Sequence, residues 1–201
     1  MIVSIDTSSA ISVTVTDAKA ADVVAARSEF SPRGHAELLS GLVSAAMSDA
    51  GVARTDVTVV VVGTGPAPFT GLRVGLVTAR MLALAWQVPL LGVCSLDALG
   101  AKHRDALVLG DARRREVYWA RYRAGGRIAG PAVTAPADVQ VEPGETLVGR
   151  GGVLYPEAFP GAIEADPDPL WLAREALRRR AAGEELPTDP LYLRRPDVHQ
   201  A

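Results

Sequence analysis

The residues of this chain whose types suggest chemistry are three histidines, one cysteine, a hydroxyl-rich turn, a glycine loop and a run of arginines. His35, His103 and His199 form no H-x-x-x-H or H-E-x-x-H pair, and Cys94 has no second cysteine beside it. Helical two-histidine zinc or iron ligation is therefore absent from the pattern, and no metal ligands are assigned. No serine lies in G-x-S-x-G, so a serine hydrolase lacks its nucleophile elbow. His35, near the start of an expected helix and two residues before Glu37, reads as a solvated or capping side chain.

Asp6-Thr7-Ser8-Ser9 occupies a turn between two expected strands, where backbone N–H groups and a hydrated ion can hold phosphate. Such a cradle normally needs glycine, and this turn has none. Two readings stand: a nucleotide or anion contact through Asp6 and Thr7, or an aspartate bonding the backbone two residues on. The loop from Gly63 to Gly71 precedes a helix whose N-terminus favours anions. It is neither a Walker A nor a G-x-G-x-x-G sequence, and Pro66 and Pro68 remove two donors. A rigid recognition turn displaying Phe69, Thr70 and Arg73 fits it better, with Thr70 and Arg73 joining Asp6 and Thr7 as candidate nucleotide or anion contacts. Arg113, Arg114 and Arg115 sit at an expected hairpin tip, either as RNA phosphate contacts or as a solvated turn. Arg178, Arg179 and Arg180 end a helix, where the helix dipole alone favours cations.

The elements that must carry these groups follow from hydrophobic period and punctuation. Ile2 to Ile5, Ser12 to Thr16 and Asp22 to Arg27 read as three strands. Ser31-Pro32 then opens a helix to about Asp49, ended by Gly51. The valine run at residues 57–62 reads as a strand buried on both faces. A second helix runs from about Gly71 to Trp86, with Gly71, Gly75, Ala79 and Ala83 on one face. That stripe suits close helix packing, either within the chain or against another molecule. A strand at Leu90 to Val93, a short helix from Ser95 to His103 and a strand at Ala106 to Leu109 follow. The segment from Glu116 to Arg123 completes a hairpin. From Gly125 to Pro169 only Thr146 to Gly149 reads as a strand, before a last helix from Pro169 to Ala182 and a tail.

The chain has 201 residues, 48% of them hydrophobic, with 21 basic and 23 acidic side chains and a net charge of −2. Whole-chain electrostatic capture of nucleic acid needs a clear basic excess and is excluded, although a local basic patch is not. Only Lys19 and Lys102 are lysines, which leaves 19 arginines and points to a GC-rich genome. A single cysteine implies a reduced compartment. The N-terminus carries Asp6 and Asp17 with no basic group, unlike a signal peptide, and no apolar run approaches ~20 residues. A cytoplasmic protein is expected.

Seven segments occur in the order seen in the bacterial TsaB (YeaZ-like) family, which the chain resembles over nearly its whole length. They are Ile5-Asp6-Thr7-Ser8, Pro32-Arg33-Gly34-His35-Ala36-Glu37, the loop and helix start from Gly65 to Arg73, Gly92-Val93-Cys94-Ser95-Leu96, Asp111-Ala112-Arg113, Glu116-Val117-Tyr118 and Pro190-Leu191-Tyr192-Leu193-Arg194. The resemblance implies an α/β, two-lobed actin-like (ASKHA, ribonuclease H-like) fold with mixed sheets flanked by helices. An N-terminal lobe over residues 1–100 and a smaller C-terminal lobe over 101–201 are expected. The implied role is that of a non-catalytic scaffold and activator in forming N6-threonylcarbamoyladenosine at position 37 of tRNAs reading ANN codons. Its implied partners are a TsaD-like catalytic subunit that carries the metal and a TsaE-like ATPase, with tRNA as the substrate of the complex. No cofactor is then bound tightly by this chain, and ATP and the metal belong to the partners.

Pairing in that family uses the N-terminal-lobe helices. Carried onto this sequence, the interface comprises Leu38, Leu42, Gly71, Leu72, Gly75, Leu76, Ala79 and Ala83. A homodimer in isolation is an open alternative. The family usually has Gly-Ser where this chain has Ala67-Pro68. Two other functions are weighed: an independent actin-like ATP-binding enzyme acting through Asp6 and Thr7, and a glycoprotease-like peptidase.

Overall fold

The structure is a computed structural model that describes residues 1–31 and 35–194, apart from the side chains of residues 35 and 36. His199 and the Pro32-Arg33-Gly34 stretch lie outside the described residues. Strands β1 (Ile2–Asp6), β2 (Ile11–Thr16) and β3 (Val23–Glu29) form an antiparallel meander. Helix α1 (His35–Asp49) leads to β4 (Val59–Gly63), which pairs parallel with β1. Helix α2 (Phe69–Trp86) leads to β5 (Leu90–Val93), parallel with β4, giving the order β3-β2-β1-β4-β5.

The plan then repeats. Helix α3 (Ser95–His103) precedes a second meander of β6 (Ala106–Asp111), β7 (Val117–Arg123) and β8 (Gly126–Thr134). Strand β9 (Thr146–Val148) pairs parallel with β6, giving β8-β7-β6-β9. Helices α4 (Arg150–Leu154) and α5 (Pro169–Ala181) complete the α-helices and strands of the described residues. Two sheets that each run antiparallel and then cross over parallel make this the two-lobed, actin-like α/β fold. A division near residue 100 falls inside α3, and α5 packs on the first sheet rather than the second.

Alternation along the strands decides the layers. Val3, Ile5, Val13, Val60 and Val62 face α1 and α2, where Leu39, Val43, Leu72 and Leu76 cover them. Ile2, Val59 and Val61 point the other way, onto Leu172, Ala173 and Ala176 of α5. This accounts for the unbroken valine run, because a strand covered on both faces has no polar positions to alternate with. Leu96 and Leu99 of α3 lie against Ala106, Val108 and Tyr122, so α3 joins the two sheets through its own apolar side.

Several boundaries differ from the sequence reading. Strand β8 was read as irregular, because Gly126, Gly130 and Pro131 interrupt its pattern; it is the outer strand of its sheet, where a missing N–H costs no ladder bond. Ser95 is the first residue of α3 and Cys94 is its N-cap. The Ser95 hydroxyl is instead committed to Asp6. Phe69 and Thr70, expected in a loop, form the first turn of α2.

Candidate functional site

Between the two sheets lies a cleft of about 790 Å³. Ser8 and Ser9 of the β1–β2 turn and Phe69 and Thr70 of α2 line one side, with Asp111, Arg113 and Arg150 on the other. Asp6 stands behind this wall, only 1% exposed. Its Oδ1 accepts from the Ser8 N–H at 2.8 Å and the Ser8 hydroxyl at 2.5 Å, and its Oδ2 accepts from the Ser95 hydroxyl at 2.6 Å. Ser95 in turn accepts the Gly65 N–H at 3.2 Å. Gly63 makes room for this carboxylate: a Cβ there would overlap Asp6 Oδ2 and lie 2.6 Å from Ser95 Oγ. Burial pushes the Asp6 carboxyl up to about 6, against the lowering effect of the Ser8 and Ser95 bonds. Both oxygens thus serve the turn and the α3 start, as a turn-stabilising aspartate does. The surroundings fit nucleotide phosphate poorly: the turn lacks glycine, and Pro66 and Pro68 offer no N–H.

The basic side of the cleft is internally compensated. Arg150 grips Asp166 with two nitrogens at 2.6 and 2.8 Å, donates to Glu164 at 2.7 Å and lies 4.2 Å over the Phe30 ring. Ser9 donates to Asp166 at 2.5 Å. Burial alone would raise Asp166, but Arg150 and Ser9 outweigh it and hold its carboxyl below the usual range. Among the described residues no group of three His, Cys, Asp or Glu side chains gathers as a metal site. His103 ends α3, away from the cleft lining, and Cys94 is buried with its thiol pushed up to about 12 by desolvation.

Sequence reasoning missed the tail as a structural element. Residues 186–194 run across both lobes: Gly92 N–H donates to Leu186 O, Leu191 N–H donates to Thr64 O at 2.8 Å, and Arg194 reaches Ala112 O and Glu116. Leu191 and Leu193 pack inward on the α3 core, whereas Tyr192 stacks on Phe69 with ring centroids 5.4 Å apart. The Arg73 guanidinium sits 3.7 Å over Phe69 and donates to the Tyr192 hydroxyl at 2.8 Å. The alternation Leu191, Tyr192, Leu193, Arg194 was the available signal, since a period of two marks an extended segment with one face covered. Arg113, Arg114 and Arg115 form the tip between β6 and β7, all with positive φ (59°, 53° and 62°). Arg113 is anchored to Asp111 at 3.2 Å yet exposes 64% of its side chain.

The small-residue stripe of α2 faces the chain's own sheet, and assigning it to an intermolecular contact is corrected here. Gly71, Leu72, Gly75, Leu76, Ala79 and Ala83 are buried, and Thr7 Oγ1 donates to Gly71 O at 2.9 Å across the gap. A Cβ at Gly75 would approach Thr7 Oγ1 closer than 3.0 Å. Small residues therefore let α2 lie close to the β1–β2 turn. The opposite side of α2 exposes Val77, Met81 and Leu84, the last to 73%. Leu38 and Leu42 of α1 are half-buried, and an open groove of about 440 Å³ lined by Met47, Leu82 and Trp86 separates the two helices. The length and mean hydropathy of α2, 18 residues at 1.2, would suffice to cross a membrane, but its apolar small side packs on β4 and β1.

Residues 22–158 match the family model described as TsaD: tRNA N6-adenosine threonylcarbamoyltransferase. A solved structure of YeaZ from Pseudomonas aeruginosa superposes with a TM-score of 0.80 at 30% identity, over 96% of this chain and 99% of that one. An uncharacterized protein from Mycobacterium tuberculosis (strain ATCC 25618 / H37Rv) is 45% identical over 88% of this chain and 82% of its own length. The tRNA threonylcarbamoyladenosine biosynthesis protein TsaB of Escherichia coli (strain K12) is 36% identical over 50% of this chain and 46% of its own length. A lobe plan repeated in both sheets, a matching family model and a near-complete YeaZ counterpart agree: the chain belongs to the TsaB (YeaZ-like) members of the tRNA N6-adenosine threonylcarbamoyltransferase family.

Proposed function

We propose that this protein is the TsaB-like, non-catalytic subunit of the cytoplasmic assembly that forms threonylcarbamoyladenosine at position 37 of tRNA. In this reading it pairs with a TsaD-like subunit that holds the metal, and a TsaE-like ATPase joins them. Nucleotide and metal chemistry belong to those partners. The observation that carries the subunit role is the outward side of α2, where Val77, Met81 and Leu84 stand 57%, 59% and 73% exposed beside the α1–α2 groove. An apolar row of this kind, on a helix already packed flush to its sheet, suits a second helix pair. The commitment of both Asp6 oxygens to Ser8 and Ser95 supports a scaffold over an independent ATP-binding enzyme.

The test is reconstitution of tRNA modification from purified subunits with and without this chain. Modification should depend on it, while the isolated chain modifies nothing. Leu84→Arg should remove both co-elution with the catalytic subunit and the stimulation. Full stimulation by that variant would refute pairing through α2.

A further inference from the structure

The tail brings an aromatic stack and a cationic turn onto one rim of the cleft, although the two lie far apart in the chain. Phe69 and Tyr192 remain 50% and 42% exposed while stacked at 24° to each other, with the Arg73 guanidinium against both rings. Two residues beyond Tyr192, Arg194 holds Ala112 O and Glu116, the two ends of the Arg113–Arg115 turn. Stack and turn are thus joined through two residues of extended chain, about 7 Å, and the length of the Arg194 side chain. Three consecutive non-glycine residues in the left-handed region cost on the order of 1 kcal/mol each, and such conformations concentrate at binding sites. All three arginines are exposed on this turn. Arg115 makes no ion pair among the described residues.

We infer that this rim, Phe69, Arg73 and Tyr192 with Arg113 and Arg115, binds an unstacked base and the adjoining phosphates of a single-stranded RNA loop. The inference rests on the tRNA reading above and adds a direct RNA contact by this subunit. Exposed aromatic faces beside arginines are how proteins hold unpaired bases, the ring taking the base and the cations the backbone. Aromatic and arginine side chains also occur in protein interfaces; what favours RNA here is the run of three exposed arginines on one turn beside the stack, which suits successive phosphates. The uncharged row that suits a protein lies further along α2, at Val77, Met81 and Leu84. The near-neutral charge of the whole chain is no obstacle, since Arg73 and the Arg113–Arg115 turn make a local cationic patch beside the stack.

The experiment uses the complex with the catalytic subunit and a fluorescein-labelled anticodon stem–loop RNA, read by anisotropy over a salt series. Phe69→Leu and Tyr192→Leu keep apolar volume but remove the π face, and each should weaken RNA binding about tenfold. Arg115→Ala should lower the slope of log affinity against log salt by about 0.7. Subunit affinity should stay at the wild-type value for all three, and the melting temperature should fall by no more than the few degrees that loss of one ring stack explains. Unchanged RNA affinity in the leucine variants overturns the inference, as does a fall in subunit affinity matching the fall in RNA affinity, which would mark the rim as a protein contact. Modification that does not depend on this chain at all would instead refute the family role, so the two failures are distinguishable.

Discussion

Gly75→Ala separates a helix face turned to the chain's own sheet from one turned to a partner. The added Cβ would come closer than 3.0 Å to Thr7 Oγ1, with Thr7 Cγ2 at 3.2 Å and Cβ at 3.3 Å. Relief requires α2 to lift from the β1–β2 turn, or Thr7 to rotate and abandon its 2.9 Å bond to Gly71 O. Overpacking of this kind costs about 1–3 kcal/mol, and the lost bond about 1 kcal/mol. The better helix propensity of alanine returns a little under 1 kcal/mol. The balance is a destabilisation of roughly 1–3 kcal/mol, or a melting temperature lower by roughly 3–10 °C for a chain of this size. Thr7→Ala should remove most of the clash, so the double variant should be less destabilised than the sum of the singles. Calorimetry or denaturant melts of the four proteins give the answer. If Gly75→Ala melts like the wild type and yet fails to pair, the small stripe faces a partner and the packing argument is wrong.

Further outcomes follow from the same geometry. Folded Asp6 holds its proton up to about pH 6, whereas unfolded it does so only to about 3.8; the folded state binds the extra proton between these values. The Asp6 contribution therefore declines as pH rises through that window, by roughly 3 kcal/mol, and urea melts at pH 4 and 7 should lose this slope in Asp6→Asn. Tyr122→Phe removes one of two donors to Asp97 Oδ1, the Tyr122 hydroxyl at 2.7 Å, and leaves Arg127 at 3.1 Å, so it should cost about 1 kcal/mol in denaturant melts with pairing unchanged. Met81→Asp, on a 59% exposed side chain, should leave stability within about 0.5 kcal/mol while subunit affinity falls in gel filtration.

The parts of the fold that were readable from sequence are those where burial is set by local pattern. The run at Val59–Gly63 announced a doubly covered strand, and Asp168-Pro169 marked the start of α5, where Asp168 accepts the Leu170 N–H. Strand β8 was hidden because its glycines and proline are admissible only on an outer strand, and its place in the sheet is a tertiary fact. The direction of α2 was hidden for a different reason. Periodicity places Gly75 and Ala79 on one side and Val77 and Leu84 on another with Arg73 and Arg80, but two arginines among large apolar residues do not by themselves mark that side as the outward one. What decides between them is the close approach of Thr7, a residue 68 positions away from Gly75. The tail was unreadable as a strap, since its partners Thr64, Phe69 and Glu116 are supplied by three separate loops and helix ends.

The two candidate surfaces are mechanically one. Helix α2 carries the exposed row at Val77, Met81 and Leu84, and its first turn carries Phe69 on the cleft rim. Its buried side is fixed to Thr7, next in the chain to Asp6, whose carboxylate holds Ser95 at the start of α3. Helix α3 packs on the second sheet, so the buried contacts that start at α2 reach both lobes. A partner gripping the outward row would then bear on the cleft through a short chain of buried contacts: α2, Thr7, Asp6, Ser95 and α3. The tail makes a second link of the same kind, from Phe69 and Arg73 through Tyr192 to the arginine turn. Cutting the tail after Pro190 removes that second link and leaves the first. The truncated chain should pair with its partner as before and lose RNA affinity, the combination that a purely structural tail would not produce.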